Sequence, residues 1–264
     1  GTPEAEARAE DEVEFAIEAS PFVGARFGNA LHAALERVDF ALWRARPPAL
    51  EAIAPLLSHA LRESGYDDAV QREAGLELLA ALLRETLRAP LPEGVRLCDL
   101  APSARRAELE FHLALQPVSL DALLDLLHAH GVVQDRRGFG TRSRIEGLLT
   151  GKIDLVYRHD ARWYLLDYKS NRLASYDAAA LQRAMQRGEY DLQALIYSVA
   201  LHRWLRFRIA GYDYARDFGG VRYLFCRGLD ATRADAPGIH AARFAPELID
   251  AVDALFGGAT EAQA

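Results

Sequence analysis

Gly151-Lys-Ile-Asp154-Leu-Val-Tyr-Arg-His-Asp160-Ala161-Arg-Trp-Tyr-Leu-Leu-Asp167-Tyr-Lys169 is the stretch whose reading decides this chain. Leu148 to Tyr157 and Trp163 to Tyr168 are rich in β-branched, aromatic and aliphatic residues, and the polar run Arg158 to Arg162 between them predicts a tight turn. With the turn centred between Asp160 and Ala161, residues whose numbers sum to 321 face each other. Asp154 then lies opposite Asp167, and Lys169 shares their face by strand periodicity. Two ionised carboxylates so placed repel by roughly 3 kcal/mol at about 6 Å and an effective dielectric of about 20. Something positive belongs between them, and a hard divalent cation such as Mg²⁺ or Mn²⁺ prefers carboxylate oxygens. The competing reading is an exposed hairpin face on which both carboxylates are merely solvated.

Lysine usage separates the two. Of 31 Lys plus Arg, only Lys152 and Lys169 are lysine. A lysine can lose its proton when its environment demands it, or set a compact charge beside an attacking water, which arginine does poorly. Lys169 is therefore read as chemical. Lys152, opposite it in the same register, has no defined task.

Asp154, a gap of twelve, and Asp167-Tyr168-Lys169 together resemble the PD-(D/E)xK nuclease superfamily. The longer string from Gly147 to Asn171 is similar to RecB-like nuclease domains, with Ile153 where the superfamily name has proline. Gly28-Asn-Ala-Leu-His32-Ala-Ala-Leu35-Glu36 is similar to their GxxxHxxLE motif, Tyr190-Asp-Leu-Gln193-Ala-Leu-Ile-Tyr197 to their QxxxY motif, and Glu108-Leu-Glu110-Phe111 to their ExxF strand. The stretches Gly211 to Tyr214 and Phe218 to Asp230 extend the likeness, which runs from about residue 24 to 230.

The resemblance implies metal-dependent hydrolysis of DNA phosphodiesters, at ends and in single strands. Asp154, Asp167, His32 and the backbone carbonyl of Tyr168 would hold Mg²⁺, with Mn²⁺ able to replace it and Ca²⁺ as an inactive substitute. The metal would lower the pKa of a bound water, and Lys169 would orient or deprotonate the nucleophile. Glu108 would accept from that water or help a second metal. Glu108 competes with Glu110, which is taken to lie on the opposite strand face, and Phe111 is expected to pack into the core. Gln193 and Tyr197, four apart on one helical face, would contact the DNA backbone or support the metal site.

The same resemblance implies DNA, a RecB helicase portion, RecC and RecD as partners, RecA as a further one, and a role in double-strand-break repair. An inert module that recruits or loads RecA is the alternative. Arg142 and Arg144, with Arg136 and Arg137, lie in a Gly-containing loop before the hairpin and are candidate phosphate contacts, whereas Arg203, Arg206 and Arg208 read as a solvated helix end. Contacts to phosphate carry no base code, so cleavage should be sequence-independent.

Other features bound the reading. Two cysteines, Cys98 and Cys226, are too few for the four thiolates of an iron–sulfur cluster. Gly147 to Ile153 glances at a phosphate-binding loop but has three residues between its glycines and no Ser or Thr after the Lys, so no ATP is expected in this chain. No apolar run of spanning length or signal peptide occurs, making the cytoplasm the default and a membrane partner unexpected. Net charge is −7, but residues 1–18 hold seven acids against Arg8, so the remainder is nearly neutral. That stretch reads as an acidic linker or tail preceding a nuclease domain over 19–264.

Helices are expected at about 26–45, 49–63, 69–88, 119–130, 178–187, 189–209 and 245–256, and strands at 108–115, 148–157, 163–168 and 220–226. Interleaved strands and helices imply an α/β fold with a central mixed sheet flanked by helices. The resemblance specifies a restriction-endonuclease-like core with a helical N-terminal elaboration.

Overall fold

The structure, a computed structural model, describes residues 20–140 and 142–257. The acidic stretch at 1–18 therefore lies outside the described residues. Five strands form one sheet in sequence order, β1 (Arg105–Ser119), β2 (Arg144–His159), β3 (Arg162–Lys169), β4 (Phe218–Phe225) and β5 (Ile239–Ala242). Flanking helices complete the α/β restriction-endonuclease-like fold. The chain resolves into two compact units: Gly1–Arg105 with Asp167–Gln182 and Tyr223–His240, and Arg106–Leu166 with Arg183–Arg222 and Ala241–Ala264.

The first unit contains α1 (Gly24–Arg37), α2 (Leu50–Glu63) and α3 (Ala69–Arg88). In α1, Phe27, Ala30, Leu31, Ala34 and Leu35 are all buried, the i, i+3, i+4, i+7, i+8 spacing of a single apolar stripe. The helix expected over 26–45 stops at Arg37. Val38 turns extended, and Asp39 instead caps a 3-10 turn, Phe40–Trp43, its carboxylate accepting from Ala41 N at 3.0 Å. Burial of Phe40 and Trp43 fixes that break. Helix α3 keeps its expected bounds because Asp68 caps it, accepting from Gln71 N at 2.8 Å. A Cβ on Gly75 would sit 3.0 Å from Leu61, so α2 and α3 can cross closely there.

The second unit holds the hairpin turn, α4 (Leu120–Ala129), the C-terminal half of α5 (Ala178–Arg187), α6 (Tyr190–Arg208) and α7 (Pro246–Leu255), with α7 packed on α4 and α6. The pairs Leu155 with Leu166, Val156 with Leu165, Tyr157 with Tyr164, Arg158 with Trp163 and His159 with Arg162 all obey the expected register. Asp160 and Ala161 have φ of 45° and 65°, the sign pattern of a two-residue type I′ turn. A residue other than glycine held left-handed costs about 1 kcal/mol. Ala161→Gly is therefore expected to raise unfolding stability by about 0.5 kcal/mol after glycine's larger unfolded-state entropy is subtracted. Urea titration would expose an unchanged or lowered midpoint as the contrary result.

Strand β5 is absent from the sequence expectation. Ile239-His-Ala-Ala has neither length nor alternation to mark it. Its neighbour Gly238 earns its place through tertiary contact, its carbonyl accepting from Phe225 N at 2.8 Å.

Candidate active site

Helix α1 and the end of β3 meet within the first unit. The apolar stripe of α1 turns the adjacent His32 toward β3, where its Nε2 lies 2.8 Å from the Tyr168 carbonyl oxygen. The two rings meet edge to face at 6.1 Å. One turn earlier, a Cβ on Gly28 would stand 3.3 Å from Ser170 Oγ, so glycine there permits the close approach. Thus the histidine of one motif and the carbonyl of another, 136 residues apart, converge.

Alternation along β3 brings Asp167 and Lys169 to one face. Lys169 Nζ lies 2.7 Å from Asp167 Oδ2, with side chains 12% and 3% exposed. The ammonium also stands 5.1 Å from the centre of the Tyr223 ring. Such a desolvated pair contributes little net stability, but losing one member strands the other charge.

These groups fit a divalent ion. Neighbouring ligands on an octahedral ion with bonds of about 2.1 Å stand about 3 Å apart. The spacing of His32 Nε2 and the Tyr168 carbonyl matches that value. Here the imidazole N–H can donate to the carbonyl, while the lysine ammonium occupies the carboxylate. Among the described residues no group of three or more His, Cys, Asp and Glu side chains is gathered ready for a metal.

The second unit carries Asp154, Glu108, Gln193 and Tyr197. Asp154 is half-buried on β2 between buried Ile153 and Leu155. Glu108 has φ of 54°, a left-handed residue inside β1. The expectation that alternation alone parts Glu108 from Glu110 is incorrect, because residues two apart share a face in a regular strand. The left-handed backbone interrupts that regularity, leaving Glu110 exposed and the Glu108 side chain 17% exposed. Glu108 forms an ion pair with Lys152. Lys152 thus has a partner that the sequence reading missed, although scarcity of lysine had marked it out beside Lys169.

Gln193 Nε2 donates to Tyr197 Oη at 3.1 Å, as their spacing on α6 anticipates. The Tyr197 ring packs edge to face on Phe111 at 5.5 Å. Phe111 is buried, as expected, and lies across Gly151, where a Cβ would come within 2.4 Å of the ring. Gly151 is therefore a packing glycine that lets β1 cover β2 beside Lys152.

The arginines divide into two kinds. Arg142 and Arg144 are exposed. Arg136 is held by Glu189 at 2.5 Å and lies over Phe139. Arg203 and Arg206 are not the solvated face expected of them. Both grip the buried Asp253 of α7, Arg206 at 3.1 Å.

The fold and the motif-bearing hairpin are those of a nuclease superfamily. The family model of the PD-(D/E)XK nuclease superfamily matches residues 6–236, and this chain belongs to that superfamily. It is 36% identical over 252 residues to the RecBCD enzyme subunit RecB of Escherichia coli (strain K12), covering 90% of this chain and 19% of that protein. RecB of Haemophilus influenzae is 39% identical over 192 residues, covering 70% of this chain and 15% of that protein. RecB of Mycobacterium tuberculosis (strain ATCC 25618 / H37Rv) is 34% identical over 260 residues, with coverages of 83% and 23%. The chain thus spans about a fifth of the length of these relatives. Among the described residues no helix is long and apolar enough to cross a membrane.

Proposed function

We propose that this chain is a Mg²⁺-dependent DNA nuclease domain, hydrolysing phosphodiesters at ends and in single strands within a RecBCD-type repair complex. The observation that carries the reading is the meeting of His32 with the Tyr168 carbonyl beside the buried Asp167–Lys169 pair, in a chain of this superfamily. His32, Asp167, Asp154 and the Tyr168 carbonyl would hold the ion.

Bound Mg²⁺ supplies charge to the scissile phosphate and acidity to a water. Lys169, tethered by Asp167, orients that water and can take its proton or stabilise negative charge growing on the phosphoryl oxygens. Glu108, held by Lys152, accepts a hydrogen bond from the water or assists a second ion. Gln193, Tyr197, Arg142 and Arg144 bind the phosphate backbone, so base sequence is not read here. RecC, RecD, the RecB motor and RecA are the partners this reading assigns.

The test is cleavage of linear single-stranded DNA with Mg²⁺ against EDTA, with magnesium binding followed by calorimetry. Metal-dependent cleavage is expected. Absent binding together with absent cleavage would remove the nuclease reading in favour of a RecA-recruiting module.

A further inference from the structure

Arg227 lies in the 3-10 turn Cys226–Gly228 that follows β4. Its Nε donates to the Ser170 carbonyl at 2.9 Å, and its Nη2 donates to the Phe22 carbonyl. The guanidinium also covers the Phe27 ring, 4.8 Å from its centre. Ser170 directly follows Lys169, and Phe22 directly precedes the N-cap of the helix carrying His32. One side chain therefore ties the end of β3 to the start of α1, and both tied segments belong to the first unit.

We propose that Arg227 is a positioning residue that sets the spacing between His32 and the Tyr168 carbonyl by clamping Ser170 to Phe22. The inference rests on the metal-binding reading above. A planar guanidinium fork fixes two acceptors at a defined separation, which a flexible single-point ammonium does not. Tyr176, in the segment leaving β3, reinforces the clamp, its hydroxyl donating to the Asn171 carbonyl at 3.0 Å while its ring packs against the Arg227 turn in the space a Cβ on Gly228 would need. The segment leaving β3 is thus held at Ser170 and Asn171. Gly28 against Ser170 completes the close approach between Phe22 and His32.

The energetics point to geometry as the reason for the charge. Burial draws the Arg227 guanidinium below its ordinary pKa, and no carboxylate is among the groups that oppose this. Burying a charge against carbonyls alone is costly, and an apolar residue of similar volume often serves stability as well or better. What the arginine adds is a fixed span between two chain segments.

The test is calorimetric titration of metal-free wild type, Arg227→Lys and Gly28→Ala with Mg²⁺ and separately with Ca²⁺, alongside thermal unfolding without metal. Mg²⁺ demands near-ideal octahedral geometry whereas Ca²⁺ accepts irregular coordination. Mis-set ligands therefore penalise Mg²⁺ selectively. Arg227→Lys is expected to lose about tenfold in Mg²⁺ affinity, the scale of outer-sphere effects on metal sites, with Ca²⁺ affinity nearly unchanged. Gly28→Ala, which pushes on the same approach from the helix side, should shift the ratio in the same direction. A parallel fall for both ions, or unchanged Mg²⁺ affinity, in both variants would overturn the positioning role and leave the nuclease reading intact. Failure of wild type to bind Mg²⁺ would remove both.

Discussion

Asp167→Asn is expected to lower DNA cleavage about a thousandfold, the consequence of losing about 4 kcal/mol of metal-borne transition-state stabilisation. The amide keeps the shape of the carboxylate but offers a metal only a neutral oxygen, and it no longer neutralises Lys169. Because the Asp167–Lys169 pair is desolvated, the same variant also loses about 3 kcal/mol of stability. The two effects can be separated. Asp167→Asn combined with Lys169→Met removes the stranded charge, so it should recover most of the lost unfolding free energy while remaining as inactive as the single variant. Recovery of cleavage together with stability would show that the pair is structural and that the assigned chemistry lies elsewhere.

Asp253→Ala is expected to cost about 3 kcal/mol of unfolding free energy, read from the urea midpoint at constant m. The carboxylate is 6% exposed and receives Arg203 and Arg206 from α6, binding that helix to α7. Its removal leaves Arg203 and Arg206 without the carboxylate they share. Arg206 is one-third exposed and can rehydrate, which holds the loss at the lower end of the range for broken buried pairs. A loss below about 0.5 kcal/mol would place this cluster with ordinary surface ion pairs. Since Asp253 has no assigned role in chemistry, metal affinity should be retained wherever the variant is folded.

The hairpin was legible because its information is local. Two apolar runs and a short polar turn determine both strand pairing and register, and all five observed pairs keep the predicted sum. Helix α3 was equally legible, since Asp68 at its start and a run of helix-forming residues broken only by Gly75 carry the signal locally. The superfamily could be read from motif spacing in the same way.

Elsewhere local pattern was insufficient. The helix predicted to continue to residue 45 ends at Arg37 because burial of Phe40 and Trp43 outweighs local helical preference. Strand β5 owes its existence to its neighbour, four residues without alternation being too few to signal a strand. Arg203 and Arg206 read as solvated charge because their partner lies about fifty residues away in α7.

The sequence by itself determined the superfamily, the hairpin register and the identities of Asp154, Asp167, Lys169 and His32 as candidates. Each is encoded in residue type and short-range spacing, which chain geometry converts directly into shared faces. Only the tertiary structure decided that His32 meets the Tyr168 carbonyl, that Lys152 is the partner of Glu108, that a left-handed Glu108 interrupts the alternation of its strand, and that Arg227 bridges the start of α1 and the end of β3. Those facts depend on packing between segments distant in sequence, where the close approach allowed by a glycine or the reach of a guanidinium selects the contact, and no local periodicity records either.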